Sequence, residues 1–214
     1  VCSSDLEEIE EIFKNAEDHM YKKKLVESPS MRGKTIEVII NTLHKKNKME
    51  EHHSHRVSEL CRKMGEALGM LEYENNELKS IGLFHDIGKI AIDESILNKT
   101  DKLTEGEWIE IKSHPEIGYR MLNTVANMSG TASHILHHHE RWDGKGYPDG
   151  LEGSAIPLMS RIITIADSYD AMTSERCYKG AMQKEAAIEE LQRNAGTQFD
   201  PELVGIFIEK VLRG

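Results

Sequence analysis

The chain has 214 residues with a formal net charge of −10; 30% are charged, 38% hydrophobic and 6% aromatic. That length suits one sizeable domain or a domain plus an appendage, and the acidic balance argues against a protein that coats nucleic acid non-specifically. No apolar run approaches a membrane span and no signal-peptide pattern opens the chain, while Cys2, Cys61 and Cys177 are scattered and read as reduced thiols of a cytoplasmic protein. The oddity of composition is the 11 histidines, many of them clustered.

In chain order, Ser4 with Glu7 fits a capping box opening a first helix. Leu6, Ile9, Phe13, Ala16 and Met20 then recur at alternating spacings of three and four, a narrow stripe suited either to a partner helix or to the chain's own domain. Lys22 to Lys24 close this helix near its negative pole, and Ser28-Pro29-Ser30 with Gly33 mark a linker. A second helix has Ile36, Ile39, Ile40 and Leu43 on one face and leads to the polar stretch Lys45 to Glu51. From about residue 50 the pattern is that of one helical unit. Val57, Leu60, Met64, Ala67 and Leu68 share a face, with Gly69 as a stop. The next helix carries Leu78, Ile81, Phe84 and the pair His85-Asp86. Thr104 and Glu107 form a capping box, and Pro115 restarts a helix just after His114. Residues Ala132 to Glu140 read as helix, and Asp143 to Gly150 as a loop dense in turn residues. Pro157 opens a helix bearing Asp167 and Asp170, Lys184 to Asn194 form another, and Asp200-Pro201 caps the last, which runs to about Arg213. No alternating strand pattern or repeat occurs, so the fold class is all-α.

His85 and Asp86 lie among apolar neighbours (Ile81, Leu83, Phe84, Ile87), where an unpaired carboxylate is costly. Imidazole with carboxylate suits a divalent transition metal. Four other segments each offer ligand-type residues: His53; His114; His137 to His139; and Asp167. Helical bundles bring such ligands from separate helices to a common interior. For each residue alone a surface or satisfied core role is the ordinary alternative, and His52 and His55 read that way; the histidine run also fits a solvated helix end.

His53, His85-Asp86-Ile87-Gly88-Lys89, His114-Pro115, His138-His139-Glu140, Asp143-Gly144, Gly146-Tyr147-Pro148 and Ala166-Asp167 resemble, in order, the motifs of HD-GYP domains, a branch of the HD metal-dependent phosphohydrolases. The resemblance covers about residues 50 to 213. It divides the chain into an N-terminal helical connector, 1–47, and an HD-GYP domain, 48–214, built as a multi-helix bundle around a metal centre. It implies hydrolysis of cyclic di-GMP to the linear dinucleotide pGpG, extending in some cases to GMP, by a hydroxide bridging two divalent ions, with iron or manganese favoured. His53, His85, Asp86 and Asp167 would surround one ion and His114, His138 and His139 the second, with Asp86 bridging.

By the same resemblance Lys89 would hold a phosphate oxygen or assist the leaving group, a structural salt bridge being its alternative. Gly144 and Gly146 allow a close turn beside the site, and Tyr147 offers a ring and hydroxyl to a guanine or ribose, or else packs the loop onto the domain. Arg176 and Lys179, three apart, would hold the second phosphate. Arg161 reads equally as a structural ion pair and is left out of the site.

Three positions depart from the pattern. Met49 stands where three-metal members carry Glu, which favours a binuclear centre, although Glu50 could substitute. Cys177 replaces a usual Pro, and Gly180 a common basic residue. The segment Ala16 to Leu25 is similar to the last helix of GGDEF domains, so the chain is expected to be a fragment with a sensor or cyclase-like module upstream. The stripe would then be a connector or homodimer contact. The expected partner is cyclic di-GMP and not a DNA or RNA polymer or a membrane. The rival readings are a non-catalytic cyclic di-GMP receptor and a hydrolase of another cyclic dinucleotide.

Overall fold

The computed structural model describes residue 41 and residues 48–125, 128–175 and 180–214. The connector's capping box, stripe and GGDEF-like segment lie outside the described residues. The first long helix, α1 (Lys48–Ala67), buries Ser54, Val57, Ser58, Cys61 and Met64, one face at three- and four-residue spacing. It stops where Gly69 adopts φ +70°. Helix α2 (Glu72–Phe84) starts with the Glu74 carboxylate accepting from the Leu71 N–H at 2.9 Å and packs Leu78 and Ile81 on α1.

A 3-10 turn (Ile87–Ala91) and the short α3 (Glu94–Leu97) lead to α4 (Glu105–Lys112). The capping box expected at Thr104 forms: Glu107 accepts from the Thr104 N–H at 2.7 Å, and Thr104 Oγ1 from the Glu107 N–H at 3.3 Å. Helix α5 (His114–Asn123), with Pro115 in its first turn, packs on the 3-10 turn and on α6 (Ser129–Leu136). Helix α7 (Leu158–Thr173) is the apolar centre; Ile162, Ile163, Ile165 and Ala166 are almost wholly buried. It packs on α1 and on α8 (Lys184–Arg193) and α9 (Pro201–Ile206). Asp200 caps α9 as read, accepting from the N–H groups of Glu202 and Leu203 at 2.9 and 3.2 Å.

Among the described residues there are no strands, only two isolated β-bridges, Asp143–Glu152 and Ala195–Phe199. No helix among them is long and apolar enough to cross a membrane. Three boundaries differ from expectation. His85 and Asp86 lie past the end of α2, His114 begins a helix instead of ending one, and α6 stops at Leu136, leaving His138 and His139 in a turn. The last segment changes from α-helix to a π-helical stretch at Phe207–Leu212.

Candidate metal centre

Helix ends supply most of this site. His85 keeps helical dihedrals after Phe84, but Asp86 (φ −98°, ψ 11°) departs from them and the chain tightens into the 3-10 turn. That turn lies backbone to backbone on the start of α5. A Cβ at Gly88 would come within 2.0 Å of the His114 carbonyl oxygen, so only glycine permits the approach that sets His114 beside Asp86.

Asp86 is the centre. Its Oδ1 lies 3.2 Å from His114 Nε2; its Oδ2 lies 3.2 Å from His85 Nε2 and 3.7 Å from His53 Nε2. The ligand atoms of Asp86, His114, His138 and His139 all fall within 4.8 Å of one another, and so do those of His53, His85 and Asp86. One carboxylate thus turns a different oxygen to each of two groups. Asp167, from the middle of α7, joins through His53, with Oδ1 3.3 Å from His53 Nε2.

The donor set suits cations. Nδ1 of His85, His114 and His138 donates to the carbonyls of Gly82 (2.8 Å), Ile111 (2.7 Å) and Ile135 (2.6 Å). In the neutral rings those bonds put the proton on Nδ1 and leave Nε2 with a free lone pair; burial disfavours charge on His85, but Asp86 and then Asp167 outweigh it and raise its pKa. His114 and His138 then turn two lone pairs at each other across 3.3 Å, an arrangement that a cation between them satisfies. His85 Nε2 is fully buried without a hydrogen-bond partner. Burial, with His139, His114 and His85 nearby, holds the His138 pKa well below the usual range. Burial and then His114 bring His139 down to about 3.

The α1–α7 side is different. Burial disfavours the charged form of His53, but bonds to Asp167, Asp170 and Asp86 outweigh it and raise the pKa to about 11. Asp170, one turn after Asp167 and 3% exposed, accepts from His53 Nδ1 at 2.7 Å and from Arg56 Nε and Nη2 at 2.5 and 3.0 Å. It fixes the His53 ring so that Nε2 faces Asp86 and Asp167. The sequence showed Asp170 on the helix but offered no reason to place it at the site; its signal is the one-turn spacing from Asp167.

Lys89 Nζ donates to Asp86 Oδ2 at 2.7 Å and to Glu50 Oε1 at 3.1 Å. The salt bridge weighed against a substrate role is present, and its ammonium also borders the cluster. Glu50 is turned to Lys89, whereas Met49 is 46% exposed. Arg161 is the structural pair anticipated, donating to Asp200 Oδ2 at 2.6 Å. His52 and His55 are exposed.

Beyond the histidine turn, the Asp143–Gly150 loop folds back on itself. A Cβ at Gly146 would meet the Arg141 nitrogen at 2.4 Å. Buried Glu140 accepts from the N–H groups of Asp149, Gly150 and Leu151 at 2.8, 3.0 and 3.1 Å, a loop anchor that sequence reasoning missed although it quoted the residue. Tyr147 stacks on His139 with centroids 4.9 Å apart and planes at 25°, and Lys112 Nζ stands 5.4 Å from its ring centroid. Burial, then the charges of Asp86 and Asp167, raise the Tyr147 pKa. Arg176 and Lys179, expected at the second phosphate, and Cys177 lie outside the described residues.

The profile described as HD domain matches residues 37–203. The cyclic di-GMP phosphodiesterase response regulator RpfG of Xanthomonas campestris is 44% identical over 161 residues, 74% of this chain and 42% of that protein. The 3'3'-cGAMP-specific phosphodiesterase 2 of Vibrio cholerae is 39% identical over 159 residues, 73% of this chain and 30% of that protein. The chain therefore spans less than half the length of these curated relatives. Among solved structures, the HDG"Y"P protein Bd1817 from Bdellovibrio bacteriovorus matches with a TM-score of 0.65 at 19% identity, over 96% of this chain and 68% of that one, a likeness of fold. With its histidine and aspartate motifs, its helical fold and this match over most of its length, the chain belongs to the HD domain family.

Proposed function

We propose that the chain is the catalytic HD-GYP domain of a cytoplasmic phosphodiesterase that opens cyclic di-GMP to pGpG. The observation that carries this reading is Asp86 shared between two histidine groups, supported by relatives named as cyclic di-GMP phosphodiesterases. Two divalent ions, iron or manganese, would be held by His53, His85, Asp86 and Asp167 on one side and by Asp86, His114, His138 and His139 on the other. Bound there, they supply Lewis acidity and an activated water at neutral pH.

The protein's own groups orient the rest. Backbone carbonyls fix three of the five imidazoles, Asp170 fixes His53, and Lys89 Nζ sets a positive charge beside Asp86 for a phosphate oxygen or the departing ribose oxygen. Tyr147 walls the site over His139. A receptor without turnover has no need of a complete ligand set, and all seven expected ligand residues are present. Cyclic GMP-AMP is the second substrate reading, favoured by 39% identity to a relative named for that specificity.

The test is turnover of cyclic di-GMP and 3'3'-cGAMP by protein reloaded anaerobically with iron or manganese, with Asp86→Ala as control. Linear dinucleotide formed by wild type alone establishes the reading. Metal-dependent binding without turnover replaces it with the receptor.

A further inference from the structure

The 3-10 turn that follows Asp86 returns a lysine to that carboxylate. Residues three apart eclipse in such a turn; the Lys89 N–H donates to the Asp86 carbonyl at 2.9 Å, and Lys89 Nζ lies 2.7 Å from Asp86 Oδ2. A second acid reaches the same ammonium from another element. Glu50, in the first turn of α1, sets Oε1 3.1 Å from Nζ across 39 positions of sequence. The two side chains are 18% and 19% exposed, so this is not an open surface pair of the kind that contributes little. An ammonium has three donors. Among the described residues two of them go to carboxylates, and the third is left for a phosphate oxygen.

Asp86 alone is a poor anchor for that ammonium once the site is loaded. It turns one oxygen to each histidine group. Cations held by both groups draw on the charge of this carboxylate and repel an ammonium resting on it. Glu50 belongs to neither histidine group, so its negative charge stays with Lys89. We infer that Glu50 is a positioning residue, which holds the Lys89 ammonium at Asp86 against the charge of the bound ions and so keeps it where the substrate phosphate arrives. This rests on the phosphodiesterase reading. It gives Glu50 a role distinct from that of a metal ligand standing in for Met49: the carboxylate acts through Lys89.

The test is a double-mutant cycle on the manganese-loaded full chain, read as kcat/KM for cyclic di-GMP and accompanied by metal analysis. Glu50→Gln keeps the shape and removes the charge; it is expected to lower kcat/KM about tenfold while retaining the wild-type manganese content. In a Lys89→Ala background the same change is expected to move kcat/KM less than about twofold, because the group it acts through is gone. A third readout needs no turnover. In metal-free protein, an amine-acylating reagent followed by peptide mass spectrometry is expected to label Lys89 about threefold faster or more in Glu50→Gln than in wild type. Equal losses of kcat/KM in both backgrounds show that Glu50 acts independently of Lys89 and overturn the inference alone. A lost manganese equivalent marks Glu50 as a ligand and also overturns it. An unchanged or raised kcat/KM, or unchanged labelling of Lys89, does the same. Wild-type protein that turns over neither cyclic dinucleotide overturns the functional reading and this inference with it.

Discussion

The two sides of Asp86 are built alike, but one is neutral and the other charged. Toward α5 and α6 stand buried imidazoles, with His138 and His139 held neutral far below the usual histidine range. Toward α1 and α7 stands His53, ringed by three aspartates that push it to about 11. One side offers lone pairs at once; the other carries a proton that a cation must displace. The contrast comes from carboxylates: Asp167, Asp170 and Asp86 all bond to His53, Asp167 most strongly, and differing outer partners add to it. Backbone carbonyls, which bear no charge, hold His114 and His138, whereas a buried carboxylate holds His53. Carboxylate partners make the imidazole a more basic ligand and enlarge the proton competition in the same stroke.

The largest test removes the residue the two sides share. Asp86→Ala is expected to lower kcat by about a thousandfold or more and to reduce bound metal from two equivalents to one or none by elemental analysis. It also leaves Lys89, whose pKa the Asp86 carboxylate helps to raise, with Glu50 as its remaining acid, so a lower Tm accompanies the loss. Two equivalents retained in this variant would show that the two groups bind independently and that Asp86 bridges nothing.

A smaller change should divide the sides. Asp170→Asn keeps volume but removes the charge that orients His53 and pairs Arg56. Metal affinity is expected to fall about 10- to 100-fold for one ion of the two, leaving the other near its wild-type value, resolved by competition with a chelator. An equal loss at both ions would merge the two sides into one electrostatic unit.

The proton itself gives the third test. His53 has a folded pKa raised from 6.5 to about 11, so its contribution to the metal-free fold is complete below about pH 6.5 and fades as pH rises toward 11. Metal-free protein should therefore lose Tm across that alkaline window. Metal binding, which expels the proton, should tighten with pH by up to about tenfold per unit. Titration calorimetry in buffers of different ionisation enthalpy, near neutral pH, is expected to show at least one proton released, from His53 and in part from His85. Release of none would place the difference between the two sides outside His53.

Much of this was legible in the chain. Thr104 with Glu107, Pro115 and Asp200-Pro201 announce helix starts because caps act within one turn. The candidate ligand residues stood out because metal chemistry restricts ligands to a few types. The junctions were not. His85-Asp86, among apolar neighbours, and His138-His139, following the apolar Ile135-Leu136, read as helix, while what ends those helices is tertiary: the Gly88 approach to α5 and the anchoring of the loop by Glu140. Asp170 and Glu140 stayed silent for the same reason. A buried carboxylate's role is defined by what it accepts from, and those donors lie 114 and 117 residues away for Asp170, and nine to eleven for Glu140.

The smallest expected effect belongs to that loop anchor and bears on how far the neutral side extends. Glu140 gathers three backbone N–H groups onto one buried carboxylate, and the turn it holds carries Tyr147 over His139. Glutamine in its place has one oxygen and an amide that only donates, so at least one N–H of Asp149, Gly150 or Leu151 loses its acceptor, at about 1–3 kcal/mol. Amide exchange of these three residues is expected to quicken about tenfold or more in Glu140→Gln, while chelator competition still finds two bound ions. Retained metal with a loosened loop would make the tyrosine wall a separate element laid over a self-sufficient histidine group. Loss of the ion beside His138 would instead make the loop part of what holds the neutral side together, as Asp170 is for the charged one.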